Sequence, residues 1–123
     1  MNPKVINFTD LKVWQLGHQV VISVYTETKL FPRDELFGLI SQLRRAVVSI
    51  TSNIAEGFSR STARDKIHFY TIVLGSITEV QNQLLISKDL YFLKSEAFNR
   101  ISNQLVEVHK MVHGLIKSAG NRP

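Results

Sequence analysis

Apolar residues recur at alternating three- and four-residue steps along almost the whole chain, in four stretches parted by short breakers, and that periodicity calls for helices. The clearest stretch carries Leu36, Ile40, Leu43, Val47, Ile50 and Ile54 in unbroken heptad register. Phe31-Pro32 precedes it, because proline disfavours a helical residue before it and sits well in a first turn. Asp34 and Glu35 then fall where the macrodipole favours anions. The first stretch repeats on Leu11, Trp14, His18, Val21 and Tyr25, with Thr9 or Asp10 as N-cap. A third repeats on Ile67, Tyr70, Leu74, Ile77 and Leu84 behind a Thr62-Ala-Arg-Asp65 capping box. The fourth, capped by Ser95, repeats on Phe98, Ile101, Leu105, Val108, Val112 and Leu115. Gly57 reads as the left-handed residue that stops the second helix, and Leu90, Phe92 and Leu93 as a plug at one end of the core.

The predicted helices cover about 10–28, 33–56, 62–88 and 95–117 of a single domain, 1–123. Links of about four to six residues force successive helices to be neighbours, so the expected fold is all-α, an antiparallel up-down-up-down four-helix bundle. A chain of 123 residues buries a core without disulfide or metal staples. Val13, Leu16, Val20, Val24, Val48, Ile72, Val73, Leu85 and Ile86 widen the apolar stripes past what one core consumes, which points to loop cover or to association with copies of the chain. Cys is absent, no apolar run nears the roughly 20 residues of a membrane span, and MNPKVINFTD lacks a signal-peptide layout; a cytoplasmic protein with no membrane partner is expected.

Residues 42–60, QLRRAVVSITSNIAEGFSR, are the stretch a generic bundle helix does not need. Its outward positions Gln42, Arg45, Ser49, Ser52 and Asn53 are short and polar, and suit a second surface better than water. Of the chain's net +5, a net +3 falls between Arg44 and Lys66, where Arg44, Arg45, Arg60, Arg64 and Lys66 face only Glu56 and Asp65. Such a cluster is either a phosphate footprint or a solvated basic rim. Glu56 opposes the macrodipole in a last helical turn, at a cost of a few tenths to about 1 kcal/mol, which calls for a tertiary partner. Candidates are Arg60 or Arg64, the free amides opening the third helix, or a cation on another subunit. Asn53 can bond the backbone after Gly57 or contact a ligand.

Catalytic and metal signatures are not met. A di-metal bundle needs Glu-x-x-His pairs on two helices, and the chain offers only Asp65-Lys-Ile-His68. His109 and His113 stand four apart without an adjacent Glu, and read as exposed residues flanking the core seam. His18 reads as a semi-buried, hydrogen-bonded residue. Arg64 and Arg60 precede His68 by spacers too short and too long for the Arg-to-His pairing of HEPN-class ribonucleases. Gly57-Phe-Ser59-Arg-Ser61 would follow a helix, where a nucleophile elbow follows a strand. No enzyme activity, catalytic residue, metal, cofactor or small-molecule substrate is expected.

Several motifs in order resemble the four-helix-bundle proteins encoded in intervening sequences of bacterial 23S ribosomal RNA. They are Phe8-Thr-Asp-Leu11 with Val13-Trp14, Phe31-Pro32, Glu35-Leu-Phe-Gly-Leu39, Gln42-Leu-Arg-Arg-Ala46 with Ser49, Asn53-Ile-Ala-Glu-Gly57 with Arg60, and Gly75-Ser76 with Glu79. Helix four matches only as a heptad pattern, and Val47-Val48 departs from the smaller residues usual there. The resemblance implies a homo-oligomer, a homopentameric ring, with a nucleic-acid-related role and no known catalytic residues. The expected function is therefore a non-enzymatic oligomer that binds RNA or DNA phosphates around the helix 2–helix 3 connection through Arg44, Arg45, Arg60, Arg64 and Lys66. Specificity should be poor, since no aromatic stacking platform is evident. The alternative is an assembly module in which Gln42, Arg45, Ser49, Asn53, Glu56 and Gly57 form a subunit interface.

Overall fold

Asn7 opens the helical part of the chain. Its side chain accepts from Thr9 N, and the Asp10 carboxylate accepts from the backbone N–H groups of Asn7 and Ile6, a reciprocal capping box around a 3-10 turn, Phe8–Asp10. Neither Thr9 nor Asp10 caps the first α-helix: Asn7 caps the 3-10 turn, and the α-helix that begins at Lys12 starts from Leu11 with no side-chain cap. In this computed structural model, which describes residues 4–121, four α-helices follow: α1 Lys12–Thr28, α2 Ser41–Ser59, α3 Ala63–Asp89 and α4 Ser95–Gly120. The described residues contain no strand. The outermost residues of the expected domain, 1–3 and 122–123, lie outside them.

The buried face of α1 is not the predicted one. Val13, Gly17, Val20, Val24 and Thr28 are buried, Trp14 and Val21 only half-buried, and His18 and Tyr25 exposed. Gly17 accounts for the rotation: a Cβ there would lie 3.2 Å from the Thr51 methyl and 3.7 Å from Ile50, so the α1 backbone rests directly on α2. A residue without a side chain carries no weight in an apolar count, yet it marks the point of closest approach.

The second predicted helix begins irregularly. A 3-10 turn, Arg33–Glu35, leads into a π turn, Leu36–Ile40, in which Gly38 leaves helical geometry (φ −112°, ψ −109°). The widened turn sends Leu39 and Ile40 into the core and turns Leu36 and Phe37 outward, 48% and 92% exposed. From Ser41 the heptad holds, and Leu43, Val47, Ile50 and Ile54 are fully buried. Gly57 does not stop the helix. No glycine among the described residues has positive φ, and α2 continues through Gly57 to Ser59. The glycine is required by space, because a Cβ would stand 2.6 Å from Tyr70 Cε1.

Thr62 caps α3 by accepting from Asp65 N at 3.1 Å, and Tyr70, Val73, Ile77, Val80 and Leu84 form its core face, with Ile67 and Leu74 half-buried. The helix ends in a Schellman motif, with Tyr91 at φ 64° where glycine is usual, Phe92 N bonded to Ser87 O and Tyr91 N to Lys88 O. Leu93 plugs the core, Phe92 packs on Phe31 with ring centroids 5.8 Å apart, and Leu90 is exposed, outside the expected plug. Ser95 does not cap α4; Lys94 occupies that position without a side-chain bond. Ile101, Leu105, Val108 and Val112 are fully buried, as the heptad requires.

The largest helix contacts are α2 with α3, α3 with α4, and α1 with both α2 and α4, so all four helices line one core. Val13, Val20, Val24 and Val73, which read as surplus, belong to it, whereas Val48, Ile72, Leu85 and Ile86 stay on the surface. Among the described residues no helix is long and apolar enough to cross a membrane.

Candidate nucleic-acid interface

The short polar side chains of α2 divide into two groups. Gln42, Arg45, Ser52 and Glu56 are exposed. Ser49 and Asn53 are half-buried: the Ser49 hydroxyl lies 2.8 Å from the Ser76 hydroxyl of α3, and Asn53 Nδ2 donates to Ser49 O at 2.8 Å and to Ser49 Oγ at 3.0 Å. Asn53 therefore bonds back up its own helix, not to the turn after Gly57. These groups tie α2 to α3 inside one subunit, where a hydroxyl pair lets two helix backbones approach without orphaned polar atoms.

The five cations likewise fall into two groups. Sixteen residues of helix separate Arg44 from Arg60, about 24 Å at 1.5 Å per residue. Arg60, Arg64 and Lys66 gather at the α2–α3 connection; Arg44 and Arg45 lie at the other end of α2. Arg60 Nη2 meets Glu56 Oε1 at 2.7 Å, and its guanidinium stacks over the Phe69 ring at 4.7 Å. Glu56 thus has a partner that the sequence proposed, although with side chains 41% and 49% exposed the pair contributes little stability. Lys66 Nζ donates to Phe58 O at 2.8 Å and Gly57 O at 3.3 Å, closing the C-terminal carbonyls of α2 with a cation. Arg64 is exposed. Arg44 is half-buried, its Nε donating to Thr28 Oγ1 at 3.0 Å and its guanidinium lying 4.7 Å over the Tyr25 ring.

Of the four histidines, His68 lies beside the cations of the connection, its ring edge to face with Phe69, the ring under Arg60, at 5.1 Å. His18 is exposed and stacked on Trp14, with ring centroids 4.8 Å apart and planes 14° from parallel, not semi-buried. His109 and His113 meet edge to face on α4 at 4.7 Å. Among the described residues no group of three or more His, Asp or Glu side chains could hold a metal ion.

One feature of this surface was absent from the sequence reading. Phe37, Leu36, Tyr25 and Val48 form an open groove of about 500 Å³ with Arg44 and Arg45 along it. It is an aromatic and cationic surface where no stacking platform was expected. The glycine at position 38 was the only available signal, because a π turn has no reliable pattern of its own.

The model of the 23S rRNA-intervening sequence protein family matches residues 9–114, which take in α1 to α3, most of α4 and both cation groups. The chain belongs to that family. A solved structure from Bacteroides thetaiotaomicron, described as a protein with unknown function from the S23 ribosomal protein family, is 22% identical and superposes with a TM-score of 0.78 over 85% of this chain and 98% of that one. At that identity the likeness concerns the fold. No curated protein matches.

Proposed function

We propose that this member of the family is a non-enzymatic homo-oligomer that binds nucleic-acid backbone at the end of the bundle carrying Arg60, Arg64 and Lys66. The observation that carries the reading is that Arg60, Arg64 and Lys66 gather at the α2–α3 connection against Glu56 and Asp65, a net +1 there, with both guanidiniums exposed. Phosphate would take Arg60 from Glu56 at little cost, since that ion pair is half in water. Lys66, held by two carbonyls, adds field more than contact. With Arg60 and Arg64 as direct contacts, the logarithmic salt slope should be about −1.4 to −1.8 per subunit engaged, well short of what five contacting cations would give. Filter binding of an RNA duplex across a salt series tests this. Affinity that ignores salt, or that survives Arg60→Glu with Arg64→Glu, refutes it.

The same reading takes the helices as antiparallel, up-down-up-down. Support comes from residues that meet in opposite senses: Ser49 with Ser76 and Gly57 with Tyr70 across α2 and α3, Gly17 with Thr51 and Thr28 with Arg44 across α1 and α2, and Lys88 with Phe98 and Ile67 with Gly120 across α3 and α4. The proposed setting is the cytoplasm, where ribosomal RNA is found.

A second reading, a subunit-assembly role for the outer α2 face in a ring of five copies, draws on a specific set of residues. Val48 and Ile72 remain exposed, and Arg45 and Glu79 form no ion pair among the described residues. Arg45→Ala tests the second role: a fall in oligomer mass by light scattering favours assembly, and an intact oligomer counts against it.

A further inference from the structure

We propose that the groove under the π turn is a second contact for RNA, one that takes an unpaired base where the α2–α3 end takes backbone. It rests on the reading that the protein binds nucleic acid, and names which form of it this surface selects. A regular helix through 36–40 would have kept the heptad and buried Leu36; the π turn instead delivers Phe37 almost wholly into solvent, at 92% exposure. Irregular turns of this kind are found disproportionately at functional sites.

What surrounds Phe37 defines the partner. Tyr25 lies across the groove with Arg44 over its ring at 4.7 Å, and Thr28 Oγ1 holds that guanidinium through a 3.0 Å bond from Nε, so the cation is oriented and not free to sweep through solvent. Arg45 borders the same groove, exposed and without an ion pair among the described residues. No carboxylate lines it. Glu35, the acid nearest to Phe37 in sequence, accepts from the Leu39 N–H at 3.4 Å through its Oε1. Two aromatic rings, two guanidiniums and no opposing acid complement a ligand that is both anionic and flat. A nucleotide freed from pairing fits that description: its base stacks on Phe37, and its phosphates meet Arg45 and the outer edge of Arg44. A duplex keeps its bases stacked inside and presents only phosphate, so it cannot use the ring.

The test measures anisotropy of a labelled oligouridylate of about eight residues and of an RNA duplex, with the full chain and with Phe37→Ala, Phe37→Trp and the Arg60→Glu/Arg64→Glu pair. Phe37 is exposed enough that its removal leaves the fold intact, and light scattering reports the assembly. Phe37→Ala should weaken the oligouridylate by about 5- to 150-fold and leave the duplex unchanged, with Phe37→Trp restoring binding. The paired Arg variant should weaken the duplex while the oligouridylate is still bound. The proposal falls if the unmodified protein does not bind the oligouridylate, if Phe37→Ala binds it equally well, or if Phe37→Ala changes the oligomer's mass, which would make the groove a contact between copies. An Arg pair without effect on the duplex would overturn the backbone site alone and leave this one standing.

Discussion

Replacing Gly57 with alanine sets two effects of opposite sign against each other inside α2. In an open helix the change would stabilise by up to about 1 kcal/mol, because alanine loses less backbone entropy than glycine. At this position the new methyl would lie 2.6 Å from Tyr70 Cε1, 2.9 Å from Tyr70 Cδ1 and 3.2 Å from Phe69 Cβ. The ring is 3% exposed and has no room to swing, and a Cβ atom moves only with its backbone. Overpacking of this kind costs about 1–3 kcal/mol, and contacts this short belong in the upper half of that range. The net expectation is a loss of about 1–2 kcal/mol. For a chain of this length the unfolding entropy converts that to a Tm lower by roughly 4–8 °C. Thermal and urea unfolding at matched protein concentration measure it, since an oligomer's Tm depends on concentration. Gly75→Ala is the control: nothing lies within 4 Å of its would-be Cβ, so the same substitution should gain up to about 1 kcal/mol. A Gly57→Ala protein as stable as the unmodified chain would refute the close-approach argument.

Ser49→Ala should cost about 1–3 kcal/mol by stranding the buried Ser76 hydroxyl, and Ser76→Ala less, because Ser49 Oγ still accepts from Asn53 Nδ2; the double variant should recover much of the first loss, and additive losses in a double-mutant cycle by urea unfolding would contradict the pairing. Thr28→Val removes the acceptor for Arg44 Nε and should cost about 1.5–3 kcal/mol, the range for a bond to a charged group, with an unchanged melting curve as the contrary result. Backbone N–H groups of Asn7 and Ile6 hold the Asp10 carboxyl below its ordinary 3.8. Its capping contribution is therefore complete above that pH and disappears as pH falls through the lower, folded-state value. Amide shifts of Ile6 and Asn7 should follow an acid transition below 3.8, and a midpoint at or above it would count against the cap.

Legibility varied with how far each residue's role depends on its own helix. The four helices, most of their limits and the core faces of α2 and α4 follow from apolar spacing, because a helix must bury its stripe whatever lies opposite. Arg60 was among the alternatives for the Glu56 partner, but the pair is a local contact four residues apart and not the tertiary one that the macrodipole argument called for. The α1 face was misjudged because its centre is Gly17, whose importance comes entirely from Thr51 and Ile50 on another helix. Gly57 was misjudged likewise: the residue that demands it, Tyr70, is on α3.

The candidate site divides along the same line. Which side chains carry charge was evident from composition, but the separation of Arg44 and Arg45 from the connection, the commitment of Lys66 to the carbonyls of α2 and the inward bonding of Ser49 and Asn53 were settled by neighbouring helices. Phe37 stands 92% exposed on a π turn that the apolar spacing did not announce. Local periodicity, a property of the chain alone, determined that this protein is made of four helices. The places where two backbones touch, and which polar groups are used up in making them touch, depend on atoms far apart in sequence, and those only the packed structure could decide.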